Sequence, residues 1–433
     1  MAKQYHQGQF LHFPTQTRSP EADFEYLENG ILIIEDGIIL GLHSADSVIP
    51  TLSDTQKESI ITHQGLMLPG MIDTHVHYPQ MEVIASYGRQ LLDWLNDYTF
   101  PAEAQFHEYD YGLQQSHLFL QQIFANGTTT AAVYATVHPE SVEAFFTASQ
   151  NYNARMICGK VLMDRNCPDN LKDNPQSAYT ESKSLIEKWH GRGRQLYAIT
   201  PRFAPTSTEE QLTNAGKLAA EYPDVFIQTH LSENVDEIAW VKELFPDCPD
   251  YFSVYEKFGL ARERALFGHG IHLTDREIQA IQTSGSSIIS CPTSNLFIGS
   301  GLFPYFKLKE KNIPIAVASD VGGGTSLNLF KNMAELYKVM QLQNENLNVF
   351  ECLYLCTQGA ACALRLEDKI GNLNTGTEAD FIELDLQSIP ILAQRLSHSK
   401  TLAETLFATI TLADERAIKR TYISGELVYE QGA

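Results

Sequence analysis

MIDTHVHYPQ, Met71 to Gln80, entered from Pro69-Gly70, sets two histidines at alternate positions of an apolar, β-branched run. Side chains two apart on a β-strand share a face, so His75 and His77 converge on one point, as a divalent metal requires. An isolated H-x-H is more often a pair of surface or core histidines, but three downstream segments argue otherwise. FIQTHLSEN (226–234), ALFGHGIHL (265–273) and IAVASDVGGG (315–324) are apolar, strand-like runs ending in polar residues, and they supply His230, Glu233, His269 and Asp320. In a parallel barrel all strands end at one face, which carries the active site. Buried polar groups without partners are costly, so their recurrence at strand ends predicts a metal site.

Working outward, strand-like and helix-like segments alternate, the mark of βα units and a parallel sheet. Strands are expected near 70–77, 128–137, 155–163, 196–204, 225–231, 265–273, 286–294 and 313–321. Stretches such as SKSLIEKWHGRG and LNLFKNMAELYKVMQLQ show the i, i+3, i+4 apolar spacing of helices lying on a sheet. Eight such units predict a (β/α)8 TIM-like barrel over residues 68–371, and 433 residues leave room for a second domain. ILIIEDGIILGLH (31–43) reads as a hairpin turning at Asp36-Gly37, and ADFIELDL (379–386) with TYISGELVYEQ (421–431) reads similarly. Residues 1–67 and 372–433 are therefore expected to form one small β-sandwich domain built from both termini. The segment from Pro79 to His107 reads as a lid or loop.

The formal net charge of −22 argues against nucleic acid and anionic membranes as partners. Seven cysteines with no C-x-x-C pair suit a reducing compartment. The first residues lack a secretory apolar core, and no run reaches the ~18 apolar residues of a membrane span. The expectation is a cytoplasmic protein.

His75, His77 and His230 are candidate nitrogen ligands and Asp320 a candidate fourth, oxygen ligand. This thiolate-free set suits one zinc ion, and iron and manganese accept the same ligand types. Such a metal lowers its water's pKa to about 7, giving a hydroxide that attacks an electrophilic carbon while Asp320 accepts the proton. Glu233 reaches the site only if the chain turns after the strand, and there its carboxyl shuttles protons as general acid and base. His269 fits two roles, ligand or polariser of a developing oxyanion. His272, His107, His117 and His138 are read as structural or surface residues. The fourth strand offers Arg202 and no lysine for a dinuclear centre, and His138-Pro139-Glu140 is followed by no P-C-x-x-C.

PGMIDTHVHYPQ, LLDWLNDYTFPAE (91–103), TPRFAPTST (200–208), QTHLSEN, FGHGIHL, CPTSNLFIGSGLF (291–303) and ASDVGGGTSLN (318–328) together resemble the guanine deaminase family of the amidohydrolase superfamily. H-x-H alone points only to the superfamily; H-Y-P-Q, D-W-L-x-x-Y-T-F-P and P-R-F-A-P-T are more specific. The resemblance implies hydrolysis of guanine to xanthine and ammonia on one zinc ion held by His75, His77, His230 and Asp320, with His269 beside it. It implies that Glu233 protonates the ring nitrogen next to the attacked carbon and that Asp320 deprotonates the water. Gln80, Arg202 and Phe203 would hold the purine beside His230, Glu233 and Asp320, and the enzyme would be a homodimer. The chemistry agrees: an amide suits paired donors and acceptors, a guanidinium a carbonyl, and an aromatic ring a planar base. Trp94, Tyr98 and Phe100 fit a water-excluding cap or plain packing. A deaminase of another purine or pterin, a ring amidohydrolase and a catalytically silent barrel share parts of this pattern.

Overall fold

The computed structural model describes residues 3–87 and 91–432. The eight expected barrel strands are present: β1 (Met71–His77), β2 (Thr128–Tyr134), β3 (Arg155–Gly159), β4 (Gln195–Pro201), β5 (Phe226–Leu231), β6 (Ala265–His269), β7 (Ser287–Ser290) and β8 (Ile315–Val317). They neighbour one another in chain order, and the short Val161–Leu162 stretch pairs alongside β4. Beyond the end of β8, Asp320 N–H donates to His75 C=O at 2.9 Å and His77 N–H to Val321 C=O at 2.8 Å, joining last strand to first. β1 and β2 are buried at every position, as parallel strands covered on both faces must be.

The strands end earlier than the sequence pattern suggests, and the reason is local. His269 and Asp320 sit at φ 71° and 50°, left-handed conformations that stop a strand at the functional residue. After β7, Pro292 opens the helix Pro292–Phe297, where its missing N–H costs nothing. The expected lid or loop over 79–107 is instead largely a succession of short helical turns, Tyr78–Val83 and then Leu91–His107, with residues 88–90 outside the described set. One of these turns, Leu95–Thr99, is a π-turn, a form frequent beside functional sites.

The chain divides into two compact units, 1–73 with 121–130 and 328–433, and 74–120 with 131–327. The first holds a seven-stranded mixed sheet drawn from both ends of the chain, ordered Glu426–Glu430, Ile418–Ile423, Phe381–Leu384, Ile60–Pro69, Gln4–His12, Glu25–Glu35, Ile38–Ser44. It is the small β domain expected from both termini, a single hydrogen-bonded strand order in which Gln4–His12 pairs on both edges, antiparallel to Glu25–Glu35 and parallel to Ile60–Pro69. Its faces bury different sets, Phe10, Leu32, Ile34 and Phe381 on one side and Tyr5 and Ile31 on the other. Both expected hairpins turn through paired positive φ angles, Asp36 (52°) with Gly37 (78°) and Ser424 (49°) with Gly425 (76°), which match strand twist. Among the described residues no helix is long and apolar enough to cross a membrane.

Candidate active site

The polar residues ending β1, β5 and β6, with Asp320 just past β8, meet at one rim. Nε2 of His75 lies 3.3 Å from Nε2 of His77, and Oδ1 of Asp320 lies 3.3 Å and 3.4 Å from these two nitrogens. The ligand atoms of His75, His230, His269 and Asp320 all fall within 4.8 Å of one another. Register explains part of this gathering: in the β5–β6 pairing His230 stands opposite Gly268 and Leu231 opposite His269. Gly268 is required by its neighbour, since a Cβ there would lie 2.5 Å from Cε1 of His75. The glycine beside His269 thus makes room for His75.

Two of the imidazoles are oriented from behind by hydrogen bonds. Nδ1 of His230 donates to the Arg202 carbonyl at 2.7 Å, and Nδ1 of His269 donates to Oδ1 of Asn295 at 2.9 Å. Both tautomers leave Nε2 as the lone pair facing the cluster. Nε2 of His269 is buried with no hydrogen-bond partner. The His77 ring stacks on Tyr134, centroids 4.4 Å apart. Burial, ahead of the opposing pull of Asp320, lowers the His77 pKa to about 3, and burial with neighbouring histidines pushes His230 well below its usual value. Burial alone would raise Asp320, but its hydrogen bonds to His75 and His77 outweigh this and hold it ionised. Neutral imidazoles beside a carboxylate, with an orphaned buried nitrogen, are the donor set a divalent metal needs. The residues fit a metal.

Glu233 reaches this point because Ser232, at φ 49°, turns the chain out of β5 as the sequence requires. The Glu233 carboxyl stands 3.5 Å from Nε2 of His269 and accepts from Ser300 Oγ at 2.9 Å. Burial, then the Asp320 charge, raises its pKa to about 8, so it carries a proton at neutral pH. Glu237 accepts the Glu233 and Asn234 N–H groups at 3.0 and 3.2 Å and fixes the loop.

Gln80, Arg202 and Phe203 line the same cavity as His77, His230, Glu233, His269 and Asp320. Trp94, Leu95 and Ile298 form its apolar wall, and Phe100 packs in the same cluster with Tyr98 against it. Four residues of the site were not expected from the sequence: Glu103, which pairs with Arg202 and Gln80; Asn295 behind His269; Ser300 beside Glu233; and Tyr134 under the imidazoles. His272, read as structural or surface, donates to the Ser300 carbonyl at 2.8 Å and steadies that loop. Lys160, buried just after β3, is paired with Asp173 and Glu181 and takes no part in the cluster.

The amidohydrolase family profile matches residues 66–428. Guanine deaminase of Escherichia coli strain K12 is 45% identical over 428 residues, covering 98% of this chain and 97% of that protein. The chain belongs to the amidohydrolase family. The solved E. coli guanine deaminase superposes on this amidohydrolase with a TM-score of 0.96 at 43% identity, with all of both chains covered. The guanine deaminase of C. acetobutylicum, solved with guanine in its active site, gives a TM-score of 0.88 at 30% identity over 99% of this chain and 100% of that one. This family is metal-dependent, in keeping with the donor set at the rim.

Proposed function

We propose that the protein hydrolyses guanine to xanthine and ammonia, using one zinc ion held by His75, His77, His230 and Asp320 with His269 beside it. The observation that carries this reading is a single cavity with two unlike walls: the His–Asp cluster with a protonated carboxyl on one side, and a hydrogen-bonded Gln80–Glu103–Arg202 array on the other. Full-length likeness to guanine deaminases, one of them solved with guanine bound, supports the substrate.

Zinc in this shell would supply Lewis acidity and bring a water's pKa to about 7. Asp320, ionised by its histidine neighbours, takes the proton of the attacking water. Glu233, protonated at neutral pH, delivers a proton to the ring nitrogen next to the amino-bearing carbon as that carbon becomes tetrahedral. The proton taken by Asp320 then passes to the amino group, the carbon–nitrogen bond breaks with release of ammonia, and the proton left on the new hydroxyl returns to Glu233 as that carbon becomes the carbonyl of xanthine. The His269 imidazole, 3.5 Å from Glu233 and 3.8 Å from Asp320, stands between the two carboxyl groups and polarises the developing oxyanion. Gln80 and Arg202 hold the purine edge, and Phe203, with Trp94 and Leu95, encloses its faces and excludes water.

The test is release of ammonia and xanthine from guanine by purified protein, beside adenine, cytosine and hydantoin, with metal content measured. Guanine turnover that falls on chelation and returns with zinc is the expected result. Preference for another substrate would overturn the assignment, and a metal-free inactive protein would favour a scaffold. A cytoplasmic homodimer is part of the same reading, supported by cysteines that all remain free thiols and by the family likeness. Sedimentation of the purified protein measures its oligomeric state.

A further inference from the structure

Glu103 closes the short helix Phe100–Glu103 and is 0% exposed. Its two oxygens accept from Nη1 of Arg202 at 2.9 and 2.8 Å, and Oε1 also accepts from Nε2 of Gln80 at 2.8 Å. Oε1 of Gln80 in turn accepts the Gly322 N–H at 3.2 Å. A carboxylate only accepts and a backbone amide only donates, so these two neighbours fix which end of the Gln80 side chain is which. The other guanidinium nitrogens of Arg202, Nε and Nη2, bond to no described residue, and Arg202 lines the cavity. The Phe100 ring, 5.3 Å from the guanidinium carbon, bounds it on one side.

The arrangement has an electrostatic consequence. Arg202 is 3% exposed, and an unpaired guanidinium so buried would demand an anion from the ligand. With Glu103 balancing its charge, the same group offers only N–H donors and suits a neutral molecule bearing a carbonyl. Glu103 makes no contact with the metal cluster through these bonds, so its influence runs through Arg202 and Gln80 alone.

We infer that Glu103 is a positioning and specificity-determining residue: it aims the free N–H groups of Arg202 at the carbonyl of the bound base and sets the Gln80 amide orientation. This deepens, and rests on, the guanine deaminase reading of the site. A residue of this kind should affect substrate capture more than the chemical step, and should lose the larger part of its effect once Arg202 is gone.

The experiment is a double-mutant cycle in the full-length, metal-loaded protein with Glu103→Gln, Arg202→Met and the pair, each checked for zinc content and thermal unfolding. Glu103→Gln should raise the guanine KM about 10- to 100-fold while kcat falls less than about fivefold. The pair should be worse than Arg202→Met alone by clearly less than Glu103→Gln is worse than wild type, the remainder being the share that runs through Gln80. Losses that multiply in the pair, or a single variant within about twofold of wild type, would overturn the inference. If Glu103→Gln does not fold, Glu103→Asp serves the same cycle, since it keeps the charge and shortens the reach. Wild-type protein that leaves guanine untouched defeats the deaminase reading itself, before any variant is compared.

Discussion

Two buried clusters in this molecule are built from the same residue types and have opposite characters. At the barrel rim, four imidazoles face Asp320 and leave Nε2 of His269 without a partner. In the terminal sheet, His6 and His63 stack with centroids 5.2 Å apart, and each ring nitrogen enters a hydrogen-bonded line. Nδ1 of His6 meets Nε2 of His63 at 2.9 Å, and Nδ1 of His63 meets Oε2 of Glu383 at 2.8 Å. Glu383 also accepts the Gln64 and Gly65 N–H groups at 3.2 Å and a bond from Arg420 at 3.1 Å. The lesson is that a histidine–carboxylate cluster is a reactive centre when its lone pairs converge unsatisfied, and a structural tie when they run in sequence to donors.

The sharpest way to break this contrast is at Asp320. Asp320→Asn removes the anion that His75 and His77 face at 3.3 and 3.4 Å and the base that the mechanism needs. Turnover should fall about 10⁴-fold, by the usual worth of a positioned base on a metal-held water. Steady-state ammonia release, read beside zinc content, separates lost chemistry from lost metal. A variant within tenfold of wild type that keeps its zinc would remove Asp320 from the reaction.

The terminal cluster should respond in the other way. Glu383→Gln leaves buried partners unpaired and should cost about 3 kcal/mol of folding stability with kcat unchanged. Its pH signature follows from two shifts. Burial alone would raise Glu383, but the His63 bond and the Lys419 charge hold it at about 2, below its unfolded value of 4.5. A depressed carboxylate contributes stability in full above the unfolded value and loses it as pH falls from 4.5 towards 2. Burial, then the charge of His63, lowers His6 from 6.5 to about 3, so the fold also disfavours His6 protonation, and stability drops as pH falls through that window. Denaturant melts from pH 7 to 3 should show wild type losing stability faster than Glu383→Gln; parallel curves would show the carboxylate takes no part.

The sequence made the rim legible for a physical reason. A polar side chain ending an apolar run is conspicuous, and barrel topology brings such ends together, so His75, His77, His230, His269 and Asp320 could be read without coordinates. The barrel alternation and both Gly-containing hairpins were legible on the same grounds of periodicity and turn chemistry. What stayed hidden acts from segments with no period. Glu103 ends LLDWLNDYTFPAE, and its only trace is an acid closing an aromatic run. Asn295 and Ser300 sit in CPTSNLFIGSGLF, where a polar residue in a Gly-rich loop looks like any surface turn. The early ends of β6 and β8 were hidden because positive φ at His269 and Asp320 has no signature in residue type.

That hidden loop supplies the next smaller effect. Asn295 holds Nδ1 of His269 at 2.9 Å and is not among the residues lining the cavity. Asn295→Ala should lower kcat about 10- to 100-fold with zinc content unchanged, the usual cost of removing the hydrogen bond that orients an active-site imidazole. Steady-state ammonia release read beside zinc content measures this. Unchanged kcat would mean that packing against His230, centroids 5.4 Å away, is enough to orient His269.

Ser300 gives the smallest effect and the finest distinction. Its hydroxyl donates to Oε1 of Glu233 at 2.9 Å, while Nε2 of His269 stands 3.5 Å from Oε2, so the two oxygens have different neighbours. With Oε1 occupied as an acceptor, the proton on Glu233 belongs on Oε2, the side facing the cluster. The serine bond opposes the upward push of burial and of Asp320 on this group, and removing it should make Glu233 a still weaker acid. Ser300→Ala should therefore lower kcat about tenfold or less, the worth of one hydrogen bond, with guanine KM and zinc content unchanged. A loss concentrated in KM would instead place Ser300 on the substrate. The same substitution in a Glu233→Gln background should add nothing, because the serine acts through a proton that is no longer there.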